Sequence, residues 1–428
     1  MVVYVQGGIS MNRYILLHKD NRVIDFSTKR DTVLAAVIYK SCVDHLPLPL
    51  KRILHNPSEF IESEDKDKYI VNDDGCWLVE QWISDREIPA NRDNVKKYIQ
   101  HGETAREWML NNNAFSFTDC YWIKKEEDML SWTDLLKKKQ DIDCLPVTHN
   151  ETQIYNGVNS TLGGELEKYW FNSNGRLWLC KKTPKPYDIL NAREVIASLI
   201  YEKQGYEKAC HYDFIKDRTN EVAGCACRAF TNENTELVTA YDLLEEYNMT
   251  QQADAYEKII DFACSYGMDR TAAERHMDIQ TIVDYLITNR DRHQGNIGFL
   301  RDADTLQIID VAPVYDSGSS KHLEGERPED TIHTKVNSLY QTEGECLEHV
   351  KDYSVVNVSD LPSSGEVKAI LDKCSYISEY RKEQLLSLYE QKIDYICELQ
   401  EIELEQSDWD VRNTPNPEDG AEDFDPAD

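Results

Sequence analysis

Asp291, His293 and Asn296 share one short polar stretch, Thr-Asn-Arg-Asp-Arg-His-Gln-Gly-Asn from residue 288, and Asp316 follows in Ala-Pro-Val-Tyr-Asp-Ser-Gly from residue 312. These types in this order suit phosphoryl transfer. That chemistry asks one carboxylate, Asp291, to accept or orient the proton of an acceptor hydroxyl. It asks an amide oxygen, Asn296, and a second carboxylate, Asp316, to hold the magnesium that bridges nucleotide phosphates. Asp310, closing Ile308-Ile309-Asp310, is a second candidate for the metal. His293 is expected to brace the loop by hydrogen bonds. An ordinary solvated turn would use the same Asn and Asp residues.

The elements that would position these groups can be read from periodicity. Ile279, Ile282, Val283, Leu286 and Ile287 recur at helical spacing, so a core helix should run directly into the Asp291 loop. Ile297, Phe299 and Leu306–Ile309 read as a hairpin turning at Asp302-Ala303-Asp304, which would carry Asp316 back towards Asn296.

A second cluster lies upstream. In Asn159-Ser160-Thr161-Leu162-Gly163-Gly164 the paired glycines let backbone amides approach an anion, and the Ser160 and Thr161 hydroxyls could add donors. A ligand-free hairpin turn would use the same glycines. Tyr169–Phe171 and Leu177–Lys182 flank Asn174-Gly175, a strong hairpin signal that puts Lys181 on a strand. Ala192, Val195, Ile196, Leu199 and Ile200 form a helix stripe with Glu194 at its margin, expected in the first turn. Lys181 paired with Glu194 would make a phosphate clamp, with Lys182 on the opposite sheet face. A surface lysine and a glutamate at a helix start are the plainer alternative.

Taken together, the segments from Thr288 and Ala312, with Ser-Thr-Leu-Gly-Gly, Trp-Leu-Cys-Lys and Asn-Ala-Arg-Glu-Val-Ile-Ala-Ser upstream in the same order, resemble the HipA-like serine/threonine kinases of bacterial toxin–antitoxin systems and their relatives. The resemblance covers about residues 155–400. It implies an α+β, two-lobed protein-kinase-like fold with a mainly helical C-lobe, ATP and Mg2+ as cofactors, and a protein substrate phosphorylated on serine or threonine. It also implies autophosphorylation at Ser160, with Thr161 as fallback, and an antitoxin-like or regulatory protein partner. Asp-Arg-His-x-x-Asn is shared with phosphoinositide lipid kinases, which leaves a lipid kinase as an alternative. A pseudokinase or partner-binding scaffold is the alternative outside catalysis.

The 428 residues leave room for two or three domains and a sizeable core. The reading divides them into a candidate extension at 1–10, an accessory α+β region at 11–145, an N-lobe at 146–235, a helical C-lobe at 236–406 and an acidic tail at 407–428, expected to be disordered. A formal net charge of −31 disfavours direct binding of nucleic acid or an anionic membrane surface. The 12 cysteines form no C-x-x-C pair, and no apolar run approaches a membrane span, so a reducing cytoplasm is expected.

Further expectations are coarser. Tyr14–Leu17 and Arg22–Phe26 read as strands, and Val33–Tyr39, Asp93–Ile99 and Glu103–Leu110 as helical. Tyr121-Trp122-Ile123 and Trp132 are expected to anchor the first region on the next domain, while His18, His45, His55 and His101 stand as singletons. Cys227–Phe230 is expected near an adenine. Leu237–Tyr247 and Tyr256–Tyr266 read as helices with Thr239 or Thr250 as caps, and Arg381–Gln406 as the longest helix.

Overall fold

The structure, a computed structural model, describes residues 11–89, 104–140, 161, 166–250, 254–319 and 332–413. The chain is mixed α and β. Its described strands form three antiparallel sheets, and no helix among the described residues is long and apolar enough to cross a membrane. The expected helix at Asp93–Ile99, the boundary at 141–150, the extension at 1–10 and the tail from 414 lie outside the described residues.

The first unit is a six-stranded sheet in the order β4-β5-β3-β2-β1-β6. Its strands are β1 (Asn12–His18), β2 (Asn21–Lys29), β3 (Thr32–Tyr39), β4 (Phe60–Glu62), β5 (Lys68–Val71) and β6 (Tyr121–Lys125). It is covered by α1 (Leu48–His55), α2 (Asp73–Asp85) and α3 (Ala105–Asn111), and α4 (Trp132–Gln140) follows. The expected helix at Val33–Tyr39 is instead β3, hydrogen-bonded to β2 on one side and β5 on the other. Its two alanines favour a helix in isolation. The Val33, Val37 and Ile38 side chains fit a pleated surface better, and two waiting neighbours decide the outcome.

A second sheet in the order β7-β8-β10-β9 comprises β7 (Glu167–Ser173), β8 (Arg176–Lys182), β9 (Asp213–Lys216) and β10 (Val222–Arg228). Asn174 and Gly175 both take positive φ (52° and 71°), the conformation that a two-residue hairpin loop requires. α5 (Ile189–Lys203) packs against this sheet.

The third unit is mainly helical. It holds the small sheet β11 (Thr235–Thr239), β12 (Gly298–Asp302) and β13 (Ile308–Val311), with α6 (Ala240–Glu246), α7 (Ala255–Ser265), α8 (Arg270–Ile287), α9 (Glu343–Leu347), α10 (Ser364–Leu371) and α11 (Glu379–Asn413). Leu237 and Val238, read as helical from sequence, lie in β11, and the helix begins after Thr239. Thr239 caps it through a reciprocal bond with Asp242, as its type suggests. Thr250 is not a cap, since Asp254 precedes α7. α11 continues to Asn413, past the expected end at Gln406.

The first unit is fastened to both others. Trp122 and Trp132 share one buried cluster with Ile15, Leu17, Trp170 and Ala303, the anchoring role their size suggests. His18 and His45 are not singletons. Their Nδ1 atoms lie 2.9 Å apart, and His18 Nε2 meets the Glu236 carboxylate at 3.0 Å. Glu236 also accepts from the Cys120 amide at 2.7 Å and from Arg301 at 2.8 Å. Burial opposes the Glu236 charge, but Arg301 and His18 hold its carboxyl well below the usual range.

Candidate active site

α8 delivers the Asp291 loop. Asp269 caps its start, its apolar face is buried, and it ends at Thr288, whose left-handed φ of 57° turns the chain out of the helix. Lys392 of α11, fully buried, secures this end. Its Nζ donates to the Tyr285 carbonyl at 2.7 Å, to Thr288 Oγ1 at 3.0 Å and to Glu343 at 2.7 Å.

Within the loop, the Asp291 amide donates to Asn289 Oδ1 at 3.2 Å, and Asn296 Nδ2 donates to the Asp291 carbonyl at 3.1 Å. With its nitrogen so engaged, the Asn296 amide keeps Oδ1 as an uncommitted acceptor among the described residues. His293 Nδ1 accepts from the Gly295 amide at 3.1 Å, a bracing contact within the loop.

Arg292 ties this loop to the turn that carries Asp316. Nε and Nη2 meet the two oxygens of Asp284 at 2.6 and 2.9 Å. Nη1 donates to the carbonyls of Asn296 at 2.8 Å and Tyr315 at 2.5 Å, and Nη2 reaches Ser317 Oγ at 3.1 Å. Burial works against the guanidinium charge, yet Asp284 keeps it firmly protonated. Tyr315 adds a second tie, its hydroxyl donating to the Gly295 carbonyl at 2.8 Å. Asp316 itself has a left-handed φ of 55°, which aspartate tolerates better than most side chains.

β8 and α5 bring the remaining groups. Lys181 Nζ donates to Glu194 Oε1 and, at 3.0 Å, to Asp316 Oδ1. Glu194 Oε2 accepts the Ser317 amide at 2.9 Å, so one carboxylate fixes both the lysine and the turn. Glu194 is not in the first turn as expected, because α5 starts at Ile189, where Ile189 and Leu190 are already buried in the core. Gly318 permits this closeness: a Cβ there would sit 2.9 Å from the Leu190 carbonyl and 3.3 Å from Glu194. Lys182 turns the other way and pairs with Glu167 at 3.3 Å.

The electrostatics follow from this packing. Burial disfavours the Asp316 charge, but Lys168 and Lys181 outweigh it and hold the carboxyl far below the ordinary carboxylate range. Lys181 is likewise kept charged against burial by Asp316 and Glu194. Lys168, at 3.4 Å from Asp316 Oδ2, was not singled out from sequence, and nothing in its spacing marks it.

The structure therefore gathers Lys181, Glu194 and Asp316, and staples them to the loop of Asp291, His293 and Asn296. It does not bring in Asp310. That carboxylate accepts its own neighbour's amide, from Val311 at 2.9 Å, and pairs with Lys208, with no bond to Asp291, Asn296 or Asp316 among the described residues. Ser160, Gly163 and Gly164 lie outside the described residues. Thr161 donates to the Phe115 carbonyl at 2.9 Å. Cys225 and Cys227 are both buried on β10, in a cluster with Tyr212 that partly buried Phe230 covers. Oxygen donors such as Asn296 Oδ1 and the Asp316 carboxylate fit a hard cation, and paired lysines fit phosphate, so the residues present suit a magnesium nucleotide.

No protein-family model matches the chain, and no curated protein matches it. Among solved structures, a proinflammatory kinase, CtkA, from Helicobacter pylori is similar over 57% of this chain and 94% of its own, with a TM-score of 0.43 and 19% identity. A likeness of that size carries neither activity nor substrate to this chain.

Proposed function

We propose that this protein is an ATP-dependent phosphotransferase of the HipA-like type, phosphorylating serine or threonine on a protein substrate and itself at Ser160 or Thr161. The observation that carries the reading is the joint held by Lys181, Glu194 and Arg292. A buried lysine is fixed between Glu194 and Asp316, and Arg292 locks the Asp316 turn to the loop of Asp291 and Asn296.

In this reading Lys181, pre-positioned by Glu194, binds nucleotide phosphates, and its rigid setting avoids the entropy cost of ordering a long side chain. Asn296 and Asp316 would hold magnesium, which offsets charge on the transferring phosphoryl group. Asp291 orients the acceptor hydroxyl and receives its proton. His293 braces the loop. The protein works in the cytoplasm, with an antitoxin-like or regulatory protein as the partner class. The net charge of −31 is the reason for excluding direct contact with nucleic acid or membrane.

The test is intact-mass spectrometry of purified protein before and after incubation with MgATP, beside Asp291→Ala. One added phosphate mapping to Ser160 or Thr161, absent from the variant, is expected. Unchanged mass with no ATP consumed, even with candidate protein substrates, would sink the proposal and favour a scaffold.

A further inference from the structure

Asp291 has a partner that no motif or spacing foretells. Asn337 Nδ2 lies 2.6 Å from Asp291 Oδ1. A carboxylate can only accept, so the amide must present its nitrogen. Oδ2 of Asp291 accepts no hydrogen bond among the described residues. One oxygen is thus anchored and the other is left for an incoming hydroxyl.

Asn337 is itself held from several directions. Its backbone amide donates to the Arg290 carbonyl at 2.8 Å, and Arg290 Nε returns a bond to the Lys335 carbonyl at 3.2 Å. The Val336 amide donates to the Gln341 carbonyl at 2.9 Å, and Lys335 bridges to Thr342, so residues 335–342 close on themselves. Immediately beyond, Glu343 is locked to Lys392, the same lysine that secures the end of α8. Both partners of the 2.6 Å contact therefore rest on one buried support. A side chain meant to be expelled by substrate would not need its backbone tied to the loop it blocks.

We infer that Asn337 is a positioning residue for phosphoryl transfer: it fixes the rotamer of Asp291 by holding Oδ1, so that Oδ2 meets the acceptor hydroxyl. This rests on the phosphotransferase reading above. The logic is that of any general base oriented by a third group, where the gain is in the transition state and not in nucleotide binding.

The experiment compares wild type, Asn337→Ala, Asp291→Ala and the double variant. The readouts are the initial rate of phosphate incorporation from MgATP, KM for ATP, MgADP affinity by calorimetry, and Tm. Asn337→Ala should lower kcat by about tenfold to a hundredfold, the scale of one charge-assisted hydrogen bond. KM for ATP and MgADP affinity should stay within about twofold. Adding Asn337→Ala to Asp291→Ala should cost nothing more, because the route through Asp291 is already gone.

An unchanged kcat in Asn337→Ala overturns the inference. So does a raised kcat, which would make the contact inhibitory, or a loss matched by equal falls in MgADP affinity and Tm, which would make it merely structural. If instead Asp291→Ala retains the wild-type rate, the phosphotransferase roles fail, and the inference fails with them.

Discussion

Replacing Arg292 is the sharpest way to ask whether the site is one unit. The residue is 5% exposed, and its guanidinium makes five hydrogen bonds: two to Asp284, one each to the carbonyls of Asn296 and Tyr315, and one to Ser317. In Arg292→Ala the buried Asp284 charge keeps only the Asn289 amide, 2.8 Å away. Breaking a buried ion pair in this way costs about 3–5 kcal/mol. The two orphaned carbonyls fall within that range and do not add to it, since all five bonds share one group. Arg292→Lys preserves charge but cannot fork towards Asp284 and two carbonyls at once, so a loss of about 1–3 kcal/mol is expected. Its effect on transfer should exceed its effect on stability, because Asn296 and Asp316 lose their common anchor. Urea unfolding followed by tryptophan fluorescence reads the stability, and MgATP turnover under native conditions reads the transfer. An Arg292→Ala protein with the wild-type urea midpoint, or an Arg292→Lys protein with the wild-type rate, would refute the idea that this residue joins the two halves.

Two further outcomes follow from buried charge. Burial pushes the Lys392 ammonium down and the Glu343 carboxyl up, each opposed by the other. Lys392→Met alone should therefore cost about 3–5 kcal/mol, while Lys392→Met with Glu343→Gln should recover most of it; equal urea midpoints for the single and double variants would show that the pair is not the cause. His276 accepts from or donates to the Tyr206 hydroxyl at 2.6 Å, and burial, reinforced by Arg292, pushes its pKa down to about 3 from an ordinary 6.5. The unfolded chain then takes up this proton first as pH falls, so its contribution to stability is whole above pH 6.5 and is lost progressively towards pH 3. Between pH 7 and 5 that amounts to about 2 kcal/mol. His276→Gln should show a smaller drop in Tm over this interval than wild type, and an equal drop would remove His276 as the acid-sensitive group.

What the sequence made legible was local. The Asn174-Gly175 hairpin, the helix leading into the Asp291 loop and the turn at Asp302–Asp304 each depend on neighbours within a few residues, where backbone preference and periodicity act. The candidate set Lys181, Glu194, Asp291, Asn296 and Asp316 could be named by type and order, and with it the Lys181–Glu194 pair and the return of the Asp316 turn towards the Asn296 loop, but not the Lys181–Asp316 bond or the Arg292 joint. Arg292 reads as part of a polar turn, and only the arrival of Tyr315 and Ser317 gives it a task. Asn337, His18 with Glu236, and Lys392 with Glu343 are joined across long stretches of chain, and no period or propensity links such pairs. Val33–Tyr39 failed for the opposite reason, a local tendency overruled by sheet neighbours.

The first unit grips the second through the Trp170 cluster, and the third through His18–Glu236, Arg52–Glu245 at 2.7 Å and Lys19–Asp304 at 2.5 Å. It acts as a splint across the connection between β10 and β11. The sheet that carries Lys181 and the helical body that carries Asp291 form two sides of a closed linkage, not a free pair of jaws. Swinging the one away from the other would have to shear one of these grips. Small sliding displacements, which keep side chains seated, are the motions this geometry leaves inexpensive. In the phosphotransferase reading, nucleotide entry is thereby coupled to the fit of surfaces outside the candidate site, and a change at those surfaces is expected to alter the timing of entry and release.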